Sequence, residues 1–195
     1  MQRLIVVVDT QADFMHADGA LAVEGAAALI APMQDWLARL DPAETAGVLF
    51  TFDTHCADRY PASAEAAQFP IHCVRGTPGW ANVLDAAAIA PGIPVHRLEK
   101  GVFDMWAERD LPVATPATGK ARERDAFFAG LKAAGITDAT VIGVAADYCV
   151  RWAIEGLVAR GFAVNVPRAL TRGIVHPIER VVADRFGHAP VRLVG

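Results

Sequence analysis

Two sets of residues in this chain have the types and spacing to do chemistry. The first is Cys149, Asp9 and Lys100, a thiol, a carboxylate and an ammonium from three distant parts of the sequence. The carboxylate could take the thiol proton and the ammonium could hold the anionic forms that result. Each also has a structural alternative: a free cysteine can be a small buried apolar residue, Asp9 a helix cap and Lys100 a surface lysine. The second set is Asp53, His55, Glu65 and His72. Asp53-Thr54-His55 aims two ligand types to one side of an extended segment, because alternate side chains share a face. Carboxylate and imidazole donors suit one divalent metal, zinc first, with manganese or iron as further candidates. Cys56 and Cys73 adjoin two of these residues, so a thiolate site is a rival, although neither shares the alternation of Asp53 and His55.

The elements around these residues explain why they could meet. Residues 4–8, 47–52, 95–98, 140–144, 162–166 and 191–194 are apolar, largely β-branched or aliphatic runs that read as buried strands. Helical spacing marks 25–40, 125–135, 149–160, stopped by Gly161, and 177–186. Strands alternating with helices predict an α/β fold, a three-layer α/β/α Rossmann-like arrangement of a single domain, 1–195, with a mostly parallel sheet of about six strands. Ligands of such sheets bind beyond the carboxyl ends of the strands. Asp9, Asp53, Lys100 and Cys149 each follow a different strand, so the four should share one edge. Cys149 would also open a helix, where unpaired N–H groups and the dipole favour thiolate over thiol. Residues 54–94 are irregular, with a short helix expected at 81–88, and 103–119 are irregular again; loops this long inside a domain are usually functional or disordered. The charged cluster 120–124 reads as a solvated helix start. His16, His96, His176 and His188 show no ligand spacing and read as surface or capping residues.

Composition narrows the function. With 195 residues and 53% hydrophobic content, the chain can bury a sizeable core. A net charge of -4 and a pI near 5.8 leave no basic footprint for nucleic acid. No stretch approaches a membrane span and the N-terminal apolar run is too short for an export signal, which predicts a cytoplasmic protein. Three cysteines, an odd number, argue for reduced thiols. The expected partner is a small molecule, with no nucleic acid and no membrane, and a homo-oligomer is compatible with the sequence.

The chain resembles the isochorismatase-like cysteine hydrolases, and among them the nicotinamidases. The resemblance rests on residues 8–14 (Val-Asp-Thr-Gln-Ala-Asp-Phe), Asp53-Thr54-His55, 69–79 (Phe-Pro-Ile-His-Cys-Val-Arg-Gly-Thr-Pro-Gly), Lys100-Gly101 and 143–150 (Gly-Val-Ala-Ala-Asp-Tyr-Cys-Val), in family order over almost the whole chain. It implies Cys149 as nucleophile, Asp9 as base and later acid, and Lys100 as third catalytic member. It also implies a cis peptide between Val144 and Ala145, with the N–H groups of Ala145 and Cys149 as the oxyanion hole. Asp53, His55 and His72 fall on the family's metal ligands, and Glu65 on an acidic ligand that some members use where others have histidine. Phe14 and Phe69 match aromatic walls around the substrate ring, and Trp106 is expected to join them.

The segment after Lys100-Gly101, Val102 to Gly119, departs from the family's lid sequence, which bears on the choice of amide. The resemblance implies hydrolysis of nicotinamide to nicotinate and ammonia through a thioester. The alternatives are a related cysteine amidase acting on a carbamoyl or linear amide, and a non-catalytic redox-sensing protein in which Cys149 oxidises reversibly. If Asp9 is the base, its loss is expected to move alkylation of Cys149 to higher pH.

Overall fold

In the computed structural model, which describes residues 2–195, the first aliphatic run lies inside strand β1 (Arg3–Val8). Leu4, Val6 and Val8 face one apolar cluster and Ile5 and Val7 the other, since consecutive strand residues point to opposite faces. Both faces are covered, so the run needs no polar alternation. The chain continues through α1 (Ala12–Met15), α2 (Ile30–Ala38), β2 (Thr45–Asp53), β3 (Val95–Lys100), β4 (Pro112–Thr115), β5 (Lys120–Glu123), α3 (Arg124–Ala133) and β6 (Asp138–Val144). It ends with α4 (Cys149–Ala159), β7 (Ala163–Pro167), β8 (Thr171–Arg172), α5 (Ile178–Arg185) and β9 (Val191–Val194). Phe127, Phe128, Val150, Ile154, Ile178 and Val181 put α3, α4 and α5 on one face. Phe14, Met33 and Leu37 put α1 and α2 on the other, giving three layers. Among the described residues no helix is long and apolar enough to cross a membrane.

The sheet has nine strands in the order β5-β4-β3-β2-β1-β6-β7-β9, with β8 beside β6. All pairings are parallel except β3 with β4 and β4 with β5. The six expected strands are present, and β4, β5 and β8 are additional. The cluster 120–124 is therefore not a helix start: 120–123 form an edge strand, and the helix begins at Arg124. The expected helix at 81–88 is reduced to a short 3₁₀ turn at Ala86–Ala88, where the Asp85 carboxylate accepts the Ala87 N–H. Segment 102–119 contains β4 and is tied down rather than open, since buried Arg124 donates to the carbonyls of Met105 and Glu108 and Glu108 accepts the Gly101 N–H at 2.6 Å.

The topology places the chemistry. From β1 the chain builds outward to β2 and β3, then returns to the other side of β1 with β6, so the strand order reverses between β1 and β6. That reversal is where the carboxyl ends of an open α/β sheet leave a crevice. Gly143 permits the close contact there: it adopts φ 121° against the β1 carbonyl of Val8, where a Cβ would overlap the backbone.

Candidate active site

Asp9 leaves β1 with φ 49°, turning its carboxylate into the crevice. Its Oδ1 accepts the Thr51 hydroxyl from β2 at 2.6 Å, and its Oδ2 lies 2.8 Å from Lys100 Nζ. Lys100 and Asp53 are paired residues of β3 and β2, and Nζ sits 3.5 Å from Asp53 Oδ1 and 3.5 Å from Cys149 Sγ. Lys100 is thus inside its strand rather than beyond it, and its side chain is 2% exposed, which excludes the surface-lysine alternative. Cys149 is the first residue of α4 and 5% exposed, and its thiol meets the Lys100 ammonium that Asp9 also contacts. The three groups proposed from the sequence as a catalytic set are therefore brought together around the Lys100 ammonium.

The electrostatics correct one expectation. Burial drives Cys149 well above the ordinary thiol range; Lys100 opposes this, but the Asp9 and Asp53 carboxylates add to it. These surroundings disfavour the thiolate, against the helix start that favours it. Burial disfavours the Lys100 cation too, yet Asp53, Asp9 and Cys149 outweigh it and hold the ammonium well above its usual range. Asp53 is pushed up by burial and pulled further down by Lys100 and by the adjacent His55 and His72 imidazoles, ending below the usual carboxylate range.

The peptide Val144–Ala145 is cis. Among the described residues the N–H groups of Ala145 and Cys149 have no hydrogen-bond acceptor, whereas Ala146 N–H donates to Arg172 O at 2.8 Å. Asp147, between them, accepts the N–H groups of Ile174, Val175 and His176 at 2.9, 2.7 and 2.9 Å. These bonds lash the turn from β6 to α4 to the segment after β8, leaving two donors free beside the thiol.

Asp53, His55, Glu65 and His72 are all buried, and one ligand atom from each lies within 4.8 Å of the others. His72 Nδ1 is 2.8 Å from the Pro70 carbonyl, which only accepts, so that nitrogen carries the proton and the Nε2 lone pair faces Asp53 Oδ2 at 3.1 Å. His55 Nε2 lies 3.2 Å from both Asp53 Oδ2 and Glu65 Oε2. Asp53 Oδ1, His55 Nε2 and Glu65 Oε2 are buried without a hydrogen-bond partner. Burial pushes the His55 pKa down, but the two carboxylates raise it to about 9. Convergent buried donors of this kind fit a divalent metal ion. The thiolate rival falls away, since Cys56 is exposed and Cys73 packs in the apolar cluster of α1 and α2. Glu65→Ala is expected to weaken metal retention by about 10- to 100-fold, more if Glu65 is a direct ligand, as read by elemental analysis after dialysis against a chelator.

The aromatic walls are only partly as expected. Phe14 packs on His72, with ring centroids 5.2 Å apart. Phe69 packs on Phe103 at 5.6 Å and Tyr148 at 5.3 Å, so a three-ring group flanks the residue before Cys149. Trp106 does not join them. Its indole fills the slot left by Gly156, packs on Phe128 at 4.8 Å and donates to Trp152 O at 3.0 Å. Gly156 is seven residues along α4 from Cys149, about 10 Å at the helical rise.

Sequence reasoning also missed two polar supports. Thr51 orients Asp9, and Gln11 grips the Asp53 backbone, donating to its carbonyl at 2.8 Å and accepting its N–H at 2.7 Å. Gln11 lies within the 8–14 motif, the one signal that could have found it. His96 is not a surface residue: it is half-buried on β3, 2.9 Å from Thr115 Oγ1, and packs on Phe127.

The crevice, the strand order and the flanking helices define a three-layer α/β protein with a mostly parallel sheet. The chain belongs to the isochorismatase domain family, whose model matches residues 3–173. The chain is 31% identical over 197 residues to the nicotinamidase/pyrazinamidase of Mycobacterium tuberculosis (strain ATCC 25618 / H37Rv), with 98% of each covered. The pyrazinamidase of Pyrococcus horikoshii, in a crystal structure with zinc, has the same fold: TM-score 0.73 at 23% identity, covering 100% of this chain and 99% of that one. PnC1 from L. infantum, in complex with nicotinate, superposes with a TM-score of 0.75 at 22% identity, covering 99% and 92%.

Proposed function

We propose that this protein hydrolyses nicotinamide to nicotinate and ammonia. The reading is carried by one observation: a buried thiol against an ammonium that is itself paired with a buried carboxylate, beside two free backbone donors and a buried four-residue metal donor set. The likeness to the mycobacterial nicotinamidase/pyrazinamidase supports the choice of substrate.

In this mechanism Asp9 takes the Cys149 proton as sulfur attacks the carboxamide carbon, so no free thiolate is needed beforehand. The N–H groups of Ala145 and Cys149 receive the carbonyl oxygen as it becomes an oxyanion. Asp9 returns the proton to the amide nitrogen, the C–N bond breaks, and ammonia leaves a thioester on Cys149. Asp9 then accepts a proton from water as its oxygen attacks the thioester; nicotinate departs and Cys149 is again a thiol. Lys100 balances the negative charge that passes between Asp9 and sulfur. Asp53, His55, Glu65 and His72 would hold the metal, which we assign as zinc. When bound, the ion supplies an electrophile for a ring nitrogen and so orients the ring. Reduced thiols suit a cytoplasmic location.

Ammonia release across a panel of amides tests the reading. Nicotinamide and pyrazinamide are expected to turn over well and benzamide poorly, because benzamide fits the same aromatic walls but has no ring nitrogen. Equal rates on nicotinamide and benzamide would separate the metal from recognition. Preference for a linear carbamoyl amide would move the protein to a different amidase.

A further inference from the structure

Glu65 uses its two oxygens differently. Oε2 faces the metal donor set, 3.2 Å from His55 Nε2 and without a hydrogen-bond partner. Oε1 accepts the backbone N–H of Phe103 at 2.6 Å. Phe103 lies three residues beyond Lys100, and its ring packs on Phe69 and Tyr148 at 5.6 and 5.4 Å. One carboxylate therefore bridges the metal donors and the backbone of an aromatic wall.

We infer that Glu65 couples occupancy of the metal site to the placement of Phe103, so that the wall over the substrate ring is held more firmly when the ion is bound. The inference rests on reading Asp53, His55, Glu65 and His72 as a metal site. A metal ion held by Oε2 would restrain the carboxylate in the orientation in which Oε1 accepts the Phe103 N–H. A charged acceptor makes this hydrogen bond about twice as strong as a neutral one. Histidine in this place could ligate through one nitrogen, but its other nitrogen would carry a proton and point a donor at a donor. The coupling therefore belongs to the carboxylate. By linkage, whatever the ion contributes to the Phe103 bond, that bond returns to metal affinity. Metal would then matter even for a ring with no nitrogen to coordinate.

The test is backbone amide exchange of residues 101–106, measured in zinc-loaded wild type, chelated wild type and zinc-loaded Glu65→His, with zinc content determined in each. The Phe103 amide should exchange on the order of tenfold slower in loaded wild type than in the other two. The KM for benzamide should rise on metal removal in wild type. Equal exchange in loaded and chelated wild type, or wild-type protection in loaded Glu65→His, overturns the coupling while leaving the metal site intact. Wild type that binds no zinc overturns the metal reading and the coupling with it. If Glu65→His retains no zinc, the comparison of loaded and chelated wild type decides alone.

Discussion

Cys149→Ala is expected to reduce ammonia release from nicotinamide by at least ~10⁴-fold while leaving the fold and the metal in place. The loss is large because the alanine methyl cannot form the thioester, and the free N–H groups of Ala145 and Cys149 then have no tetrahedral intermediate to hold. The structural cost is small, about 1 kcal/mol for a truncated small side chain. Lys100 keeps its contacts with Asp9 at 2.8 Å and Asp53 at 3.5 Å, so no buried charge is stranded. Sulfur is absent from the metal donor group, so zinc content should match wild type. Residual activity above a few per cent would remove Cys149 from the nucleophile role. Full loss of activity with loss of zinc would instead mean that the thiol belongs to the metal site.

What the sequence made legible, and what it hid, follows physical lines. Of the six foreseen strands, β1, β2 and β6 bury side chains on both faces, and β3, β7 and β9 are partly buried but keep enough apolar residues to stand out without knowing any neighbour. β4 and β5 escaped because they form a short antiparallel hairpin at the sheet edge, where Lys120 and Arg122 face solvent and no apolar run is required. β8 is two residues long and exists by pairing with Gly143 and Val144. The charged residues of the site were legible because each stands at a strand end, and parallel topology collects strand ends on one edge.

The supports of the site were not legible, because each depends on a contact distant in sequence. Thr51 reaches Asp9 across 42 positions and Glu65 reaches Phe103 across 38. Trp106 shows the same limit from the other side: an aromatic residue in a loop near the site looked like a wall, but a slot at Gly156 and a carbonyl 46 residues away claimed it. The state of Cys149 was misjudged for an energetic reason. The helix start was correctly located and does favour the anion, but by about 0.3–1 kcal/mol at ordinary exposure, too little to offset full burial beside two carboxylates.

That balance reverses the expected effect of Asp9→Asn on the thiol. Turnover should fall by about 10²–10⁴-fold, the usual worth of a positioned proton acceptor, because asparagine cannot take the thiol proton. Ionisation of Cys149 should nevertheless become easier. The negative charge of the Asp9 carboxylate raises the thiol pKa, while Lys100 lowers it. Asparagine removes the first influence and keeps the second, so iodoacetamide should alkylate Cys149 at lower pH than in wild type, not at higher pH as an acceptor role alone suggests. The substitution also leaves Lys100 with Asp53 as its remaining carboxylate, and breaking a buried pair costs about 3–5 kcal/mol, so a lower melting temperature is expected. Measuring turnover and the alkylation profile on the same folded preparation separates the roles. Lost turnover with a downward shift assigns Asp9 to proton transfer. Retained turnover would remove it from the mechanism, and an upward shift would mean that Lys100 had lost its place beside the sulfur.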